Sequence, residues 1–182
     1  MPHLSIAVNL TSRQFFDENL LPDLTSILDA SGMDAHLLEL EFTESMLMQN
    51  IERTLRILSG LKGLGIRIAV DDFGIGYSSV ATLKQFPLDT IKIDRSLIRD
   101  VASSAQDKNL TAAIITMGGA LSLTVVAQGV ETKEQADFLR EHACAEFQGF
   151  YFGKPMPGEQ FAELLRTPAG SSDFDMPTAD KA

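Results

Sequence analysis

Asp71-Asp72 is the sharpest chemical feature of the chain, because it closes the buried-type run Ile66-Arg67-Ile68-Ala69-Val70 with two carboxylates. The glycines of Phe73-Gly74-Ile75-Gly76 then require a turn. Neighbouring strand residues face opposite ways, so sharing one site would take a bent strand end or two cations. With Glu41 and Asn9 the pair supplies only oxygen donors, which suits Mg²⁺ or Mn²⁺ rather than zinc. On pattern alone a second reading stands equally: Asp often opens a helix, and the pair could simply cap one. Lys92 is the complementary charge. In Ile91-Lys92-Ile93-Asp94 the alternation places Lys92 and Asp94 opposite the isoleucines, so Lys92 points inward if the isoleucines face helices. A buried lysine needs a partner, and carboxylates on adjacent strands provide one.

The elements that must carry these residues follow from periodicity. Six strands are expected, at Leu4–Asn9, Leu37–Phe42, Ile66–Asp71, Thr90–Asp94, Leu123–Ala127 and Glu146–Phe152. Helical spacing separates them. Phe15/Phe16, Leu20, Leu24, Ile27 and Leu28 make one apolar face, and Ile51, Leu55, Leu58 and Leu61 a second, capped by Asn50. Leu110, Ala113, Ile114, Met117 and Leu121 make a third, on a helix expected to stop at Gly118-Gly119. Ala136 and Leu139 make a fourth, capped by Thr132. Alternating strands and helices imply a parallel sheet with right-handed crossovers. No Gly-x-Gly-x-x-Gly loop follows a strand, whereas Asn9, Glu41, Asp71, Asp72 and Gln128 sit at strand ends. A β/α barrel, whose strand C-termini converge on one face, explains that better than an open sheet. Six strands are two short of the usual eight.

Composition narrows the ligand. The 182 residues, 45% hydrophobic, suit one domain, expected over 1–166, with a disordered tail from Thr167 rich in Pro, Ala, Ser, Asp and Gly. Fifteen Lys and Arg against 25 Asp and Glu leave a formal charge of −10, which argues against nucleic-acid polymers. A phosphate ligand would need the sign reversed locally by metal ions or a placed lysine. Cys144, the single cysteine, excludes an internal disulfide and points to a reducing, cytoplasmic setting. No signal-peptide pattern opens the chain. Asn109 to Val130 is uncharged over 22 residues, but glycines and polar residues interrupt it, so buried core is expected rather than a membrane span. His3, His36 and His142 lack ligand spacing and are expected at the surface.

The motifs, taken in order, resemble the EAL family of cyclic di-GMP phosphodiesterases from Leu4 to about Leu165. They are Val8-Asn9-Leu10-Thr11 with Gln14-Phe15, Glu41-Phe42-Thr43-Glu44-Ser45, Asp71-Asp72-Phe73-Gly74-Ile75-Gly76-Tyr77-Ser78-Ser79 and Leu88-Asp89 with Ile91-Lys92-Ile93-Asp94. Gln128-Gly129-Val130-Glu131-Thr132 and Gln148-Gly149-Phe150-Tyr151-Phe152 before Lys154-Pro155 complete the set. The resemblance implies a modified TIM-type β/α barrel with one antiparallel strand, and two divalent cations that activate water to open cyclic di-GMP to pGpG. It implies Asn9, Glu41 and Asp71 as ligands of the first metal, with Asp71 and Asp72 at the second. Lys92 would meet the attacking water, Glu131 would support the second-metal side, and Gln148 would lie near the water or ligand. Glu44 would brace the loop after Asp71-Asp72, which in this family couples the site to dimerisation.

Three departures accompany the resemblance. The family's Glu-Ala-Leu segment and opening strands have no counterpart, so the barrel is expected to be incomplete. The family's Glu-Gly-Val-Glu reads Gln128-Gly129-Val130-Glu131, with a neutral amide in the first place. Ile75 replaces a small or hydroxyl residue. The expectation is a degenerate domain that binds cyclic di-GMP or a protein partner with little hydrolysis. The alternative is a Mg²⁺- or Mn²⁺-dependent phosphodiesterase. A homo-oligomer or borrowed strands are expected to cover the open edge.

Overall fold

The computed structural model describes residues 4–76 and 80–166. Six strands form one sheet in chain order: β1 (Ile6–Asn9), β2 (Leu38–Thr43), β3 (Arg67–Phe73), β4 (Thr90–Ile93), β5 (Thr124–Gln128) and β6 (Glu146–Gln148). All five pairings are parallel. The sheet is an open arc of a TIM-like barrel. The antiparallel strand implied by the resemblance has no counterpart among the described residues.

Helices join the strands. α1 (Ser12–Phe15) and α2 (Leu20–Ser31) lead to β2; α3 (Glu44–Met48) and α4 (Ile51–Gly63) lead to β3; α5 (Val80–Leu83) precedes β4. Then come α6 (Arg95–Arg99), α7 (Ala105–Ala120), α8 (Lys133–Glu141) and α9 (Gly158–Arg166). Asn50 caps α4 through Arg53 N, and Thr132 with Gln135 forms a capping box on α8, as the sequence indicates.

Strand alternation separates two rows. Leu38, Leu40, Phe42, Ile68, Val70, Ile91, Ile93, Val125 and Ala127 are buried in the core with the helices. The other row carries Glu39, Glu41, Arg67, Ala69, Asp71, Thr90, Lys92 and Gln128. Its concave curvature is visible in contacts that skip a strand. Thr90 on β4 donates to Glu39 on β2 at 2.7 Å, past β3, and Arg67 of β3 donates to Thr90 at 3.3 Å.

Several elements differ from the periodicity reading, each for a local reason. The first apolar face is split between α1 and α2, and Ile27 is 61% exposed. Ile51 and Leu110 also reach solvent. α7 continues through Gly118-Gly119, because a side chain at Gly118 would collide with Val125 of β5 and its absence lets helix and strand meet. The reversal falls instead at Ser122, whose φ is +58°. Asp94 leaves the strand to cap α6, accepting from Ser96 N at 2.8 Å. β6 stops at Gln148, since Tyr151 N turns back to Val130 O at 3.0 Å. β1 begins at Ile6 rather than Leu4. His36 and His142 are exposed as expected; His3, Tyr77-Ser78-Ser79 and the tail from Thr167 lie outside the described residues.

Candidate active site

Strand register builds the site. Asn9 pairs with Glu41, Thr43 with Asp71, and Gln128 with Gln148, so the polar ends of neighbouring strands stand side by side. Between β2 and β4 lies Ala69, fully buried and small, paired on either side with Glu41 and Thr90. Lys92 Nζ crosses this gap to Glu41 Oε1 at 2.5 Å, and both side chains are buried. Such a pair neutralises two charges that could not be left alone in the barrel wall.

The two acids of β3 lie together in a bulge. Register shifts between Val70 and Phe73, and Asp72 takes a left-handed φ of +52°. The chain thus bends at the strand end instead of alternating regularly. Asp71 Oδ1 accepts from Gln128 Nε2 at 2.9 Å. The Asp72 and Asp94 side chains stand within hydrogen-bonding reach of each other. Burial first, then Asp71 and Asp94, hold the Asp72 carboxyl above its ordinary value, and Arg95 pulls it down only in part. Burial also raises Asp94, but the Ser96 hydrogen bonds, the Asp72 contact and Arg95 outweigh it and leave the net shift downward.

Asp72, Gln128, Glu131 and Gln148 line one cleft of about 320 Å³, together with Asp94 and Arg95. Glu41 and Lys92 are not in that lining, nor are Asp71 and Asn9. Glu41 and Lys92 are buried, while Asn9 is exposed on β1. Glu131 and Gln148 are also exposed, and the Glu131 N–H is bound by Gln135 Oε1 at 2.7 Å. Glu44, buried at the start of α3, places its carboxylate where a side chain on Gly76 would stand, against the loop after β3. Asp94 and Arg95 were absent from the candidate set drawn from the sequence. The phase of Lys92-Ile93-Asp94 was the signal available for Asp94; Arg95 had none.

Among the described residues, no three or more His, Cys, Asp or Glu side chains gather into a cation site on their own. The donors are nevertheless of one chemical kind. Asp71, Asp72 and Asp94 crowd like charges at the end of β3, and the raised Asp72 carboxyl is what a divalent cation with oxygen ligands would relieve. In donor chemistry, all carboxylate oxygen, these three are the kind of ligand that Mg²⁺ or Mn²⁺ takes. At Glu41, Lys92 already supplies the compensating charge.

The EAL domain profile matches residues 1–155, and the chain belongs to the EAL domain family. It is 44% identical over 163 residues to the cyclic di-GMP phosphodiesterase NbdA of Pseudomonas aeruginosa, covering 90% of this chain and 21% of that protein. It superposes on a solved complex of the PaMucR phosphodiesterase with c-di-GMP at a TM-score of 0.84 and 41% identity, covering 86% of this chain and 64% of that one. Klebsiella pneumoniae BlrP1, solved with manganese and cyclic di-GMP, is 32% identical at a TM-score of 0.77, covering 83% of this chain and 39% of that one. The chain spans about a fifth of the length of the curated relatives it matches. No described helix is long and apolar enough to cross a membrane.

Proposed function

We propose that this chain is a degenerate EAL domain that binds cyclic di-GMP, or a protein partner, in the cytoplasm with little or no hydrolysis. The observation that carries the reading is the hydrogen bond from Gln128 Nε2 to Asp71 Oδ1. It presents a neutral donor to the very carboxylate that the family resemblance makes the bridge between two cations. A carboxylate at position 128 would repel Asp71 and draw a cation between them; the amide satisfies Asp71 without one.

Asn9, Glu41 and Asp71 would hold one Mg²⁺ or Mn²⁺, and Asp71 with Asp72 a second. Such a cation supplies a nucleophilic water at neutral pH and charge relief at the phosphodiester. Lys92 holds Glu41 in place and offers a proton donor toward water beside it. Glu131 and Gln148 border the cleft that would receive the ligand, and Glu44 supports the Gly74–Gly76 loop. The phosphodiesterase alternative draws on the retention of Asn9, Glu41, Asp71, Asp72 and Lys92 and on the crowding of Asp71, Asp72 and Asp94. A binding titration with cyclic di-GMP beside a Mn²⁺ or Mg²⁺ turnover assay tests both. Binding without pGpG is expected; turnover at about 1 per second or faster, an ordinary enzyme rate, would establish the alternative.

A further inference from the structure

Gln135, in the first turn of α8, is 5% exposed, and both ends of its amide are engaged. Its Oε1 accepts from Glu131 N at 2.7 Å and from Thr132 N at 3.0 Å. Its Nε2 donates at 3.1 Å to the carbonyl of Arg99, the last residue of α6, where a helix leaves its carbonyls without intrahelical donors. Capping of α8 accounts for the Thr132 bond alone. The other two bonds reach outside that helix. One holds the loop that carries Gln128 and Glu131, and the other holds the short helix that Asp94 and Arg95 open.

Asp94, Arg95, Gly129 and Glu131 form a wall shared by two clefts, the one of about 320 Å³ and a second of about 500 Å³. Gln135 lines only the second, so it stands behind that wall rather than among the groups that would touch a ligand in the first. The β6 side of the 128–132 loop is held by backbone, since Val130 N donates to Gln148 O and Tyr151 N to Val130 O, each at 3.0 Å. The Gln135 amide ties the α6 side. A neutral amide accepts at one end and donates at the other. A carboxylate of the same length lacks the donor, and a thioether offers only a weak acceptor.

We propose that Gln135 is a positioning residue for the 320 Å³ cleft: it sets the spacing between α6 and the 128–132 loop, and so the place of Glu131 relative to Asp72 and Asp94. This rests on the cyclic di-GMP reading and adds the group that holds that cleft in shape. The test uses the full chain. Amide hydrogen exchange is read residue by residue and cyclic di-GMP binding by calorimetry, with unfolding midpoints in parallel. Gln135→Met keeps the volume and removes the polar ends, whereas Gln135→Glu keeps the acceptor and removes the donor. Thr132→Ala removes the other half of the capping box, in which Thr132 Oγ1 accepts from Gln135 N at 3.3 Å, and is the control for capping alone.

Gln135→Met is expected to speed exchange at the Glu131 and Thr132 amides and to weaken cyclic di-GMP binding by about 10-fold or more, the loss usual when a group that orients a site is removed. Gln135→Glu should keep both amides protected yet bind about 2- to 10-fold more weakly, because one hydrogen bond to α6 is gone. It carries the test if Gln135→Met does not fold. Thr132→Ala should lower the unfolding midpoint and leave the affinity unchanged. If Gln135→Met does the same, less stable but binding normally, Gln135 is a helix cap only; the proposal falls and the cyclic di-GMP reading stands. Unchanged affinity in Gln135→Glu would show that α6 needs no such tie, and overturns the role as well. An unsubstituted chain that binds no cyclic di-GMP overturns reading and role together.

Discussion

Lys92 and Glu41 are joined at 2.5 Å across an intervening strand, with Ala69 of β3 beneath the bridge. Their strands share no hydrogen bond, so the pair ties β2 to β4 independently of backbone pairing. Removing one partner leaves a charge buried and unopposed. Lys92→Ala is therefore expected to lose about 3–5 kcal/mol of stability. A Lys92→Met/Glu41→Leu double substitution should recover most of it. Urea unfolding of the three proteins checks this, and a neutral Lys92→Ala would mean that water reaches Glu41.

Gln128 is expected to set cation affinity. Gln128→Glu places a second carboxylate beside Asp71 Oδ1, where the amide now donates at 2.9 Å. Without metal the substitution should destabilise the domain through like-charge repulsion. With metal it should tighten Mn²⁺ binding by about 10-fold or more, the effect usual for groups that support metal ligands. Calorimetry of Mn²⁺ binding to both proteins decides it; equal affinities would place residue 128 away from the cation.

Gly76 is required by space. A Cβ there would overlap the Glu44 carboxylate, although no positive φ demands glycine at this position. Gly76→Ala should cost about 1–3 kcal/mol by overpacking. In a double-mutant cycle Glu44→Ala should relieve part of that loss. Additive effects would show that the loop moves aside and that Glu44 does not brace it.

Much of this was legible beforehand because hydrophobic alternation and strand-end polarity are local. Asn9 and Gln128 end their strands, Glu41 and Asp71 lie two residues short of the ends of β2 and β3, and Lys92 found the inward partner that its burial required. The bulge at Asp72 was not legible, because it depends on register with β4 rather than on residues 71 and 72 themselves. Arg95 escaped for a similar reason: its place in the cleft depends on Gly129, distant in sequence, lying under its stem. Gly118-Gly119 read as a stop, yet the contact with Val125 converts one glycine into a packing residue.

Cys144 should report on opening of the core and on alkaline pH. Burial pushes its thiol from an ordinary 9.0 up to about 11. The protonated form is favoured in the folded chain, so this contribution to stability is complete below pH 9 and is lost as pH rises from about 9 through 11. The drop in unfolding free energy between pH 8 and pH 10.5 should be smaller in Cys144→Ala than in the unsubstituted chain. At pH 8 the thiol should react with a disulfide reagent only on unfolding, being 8% exposed. Identical pH profiles would place the thiol in contact with water.

The free edge of β1 should drive association. All four residues of the strand are exposed, and among the described residues β1 pairs only with β2. Leu4, Ile6 and Val8 are 46%, 53% and 39% exposed, forming an apolar strip beside a row of backbone donors and acceptors. Such an edge accepts another strand, and apolar area buried there contributes about 25 cal/mol per Å². Charge on a strand edge opposes that pairing. Light scattering should therefore show a mass that rises with concentration, and Ile6→Lys/Val8→Lys should suppress the rise without lowering the unfolding midpoint, because neither side chain is part of the core. A monomer at every concentration, stable to heat, would show that the β1 edge carries no such tendency.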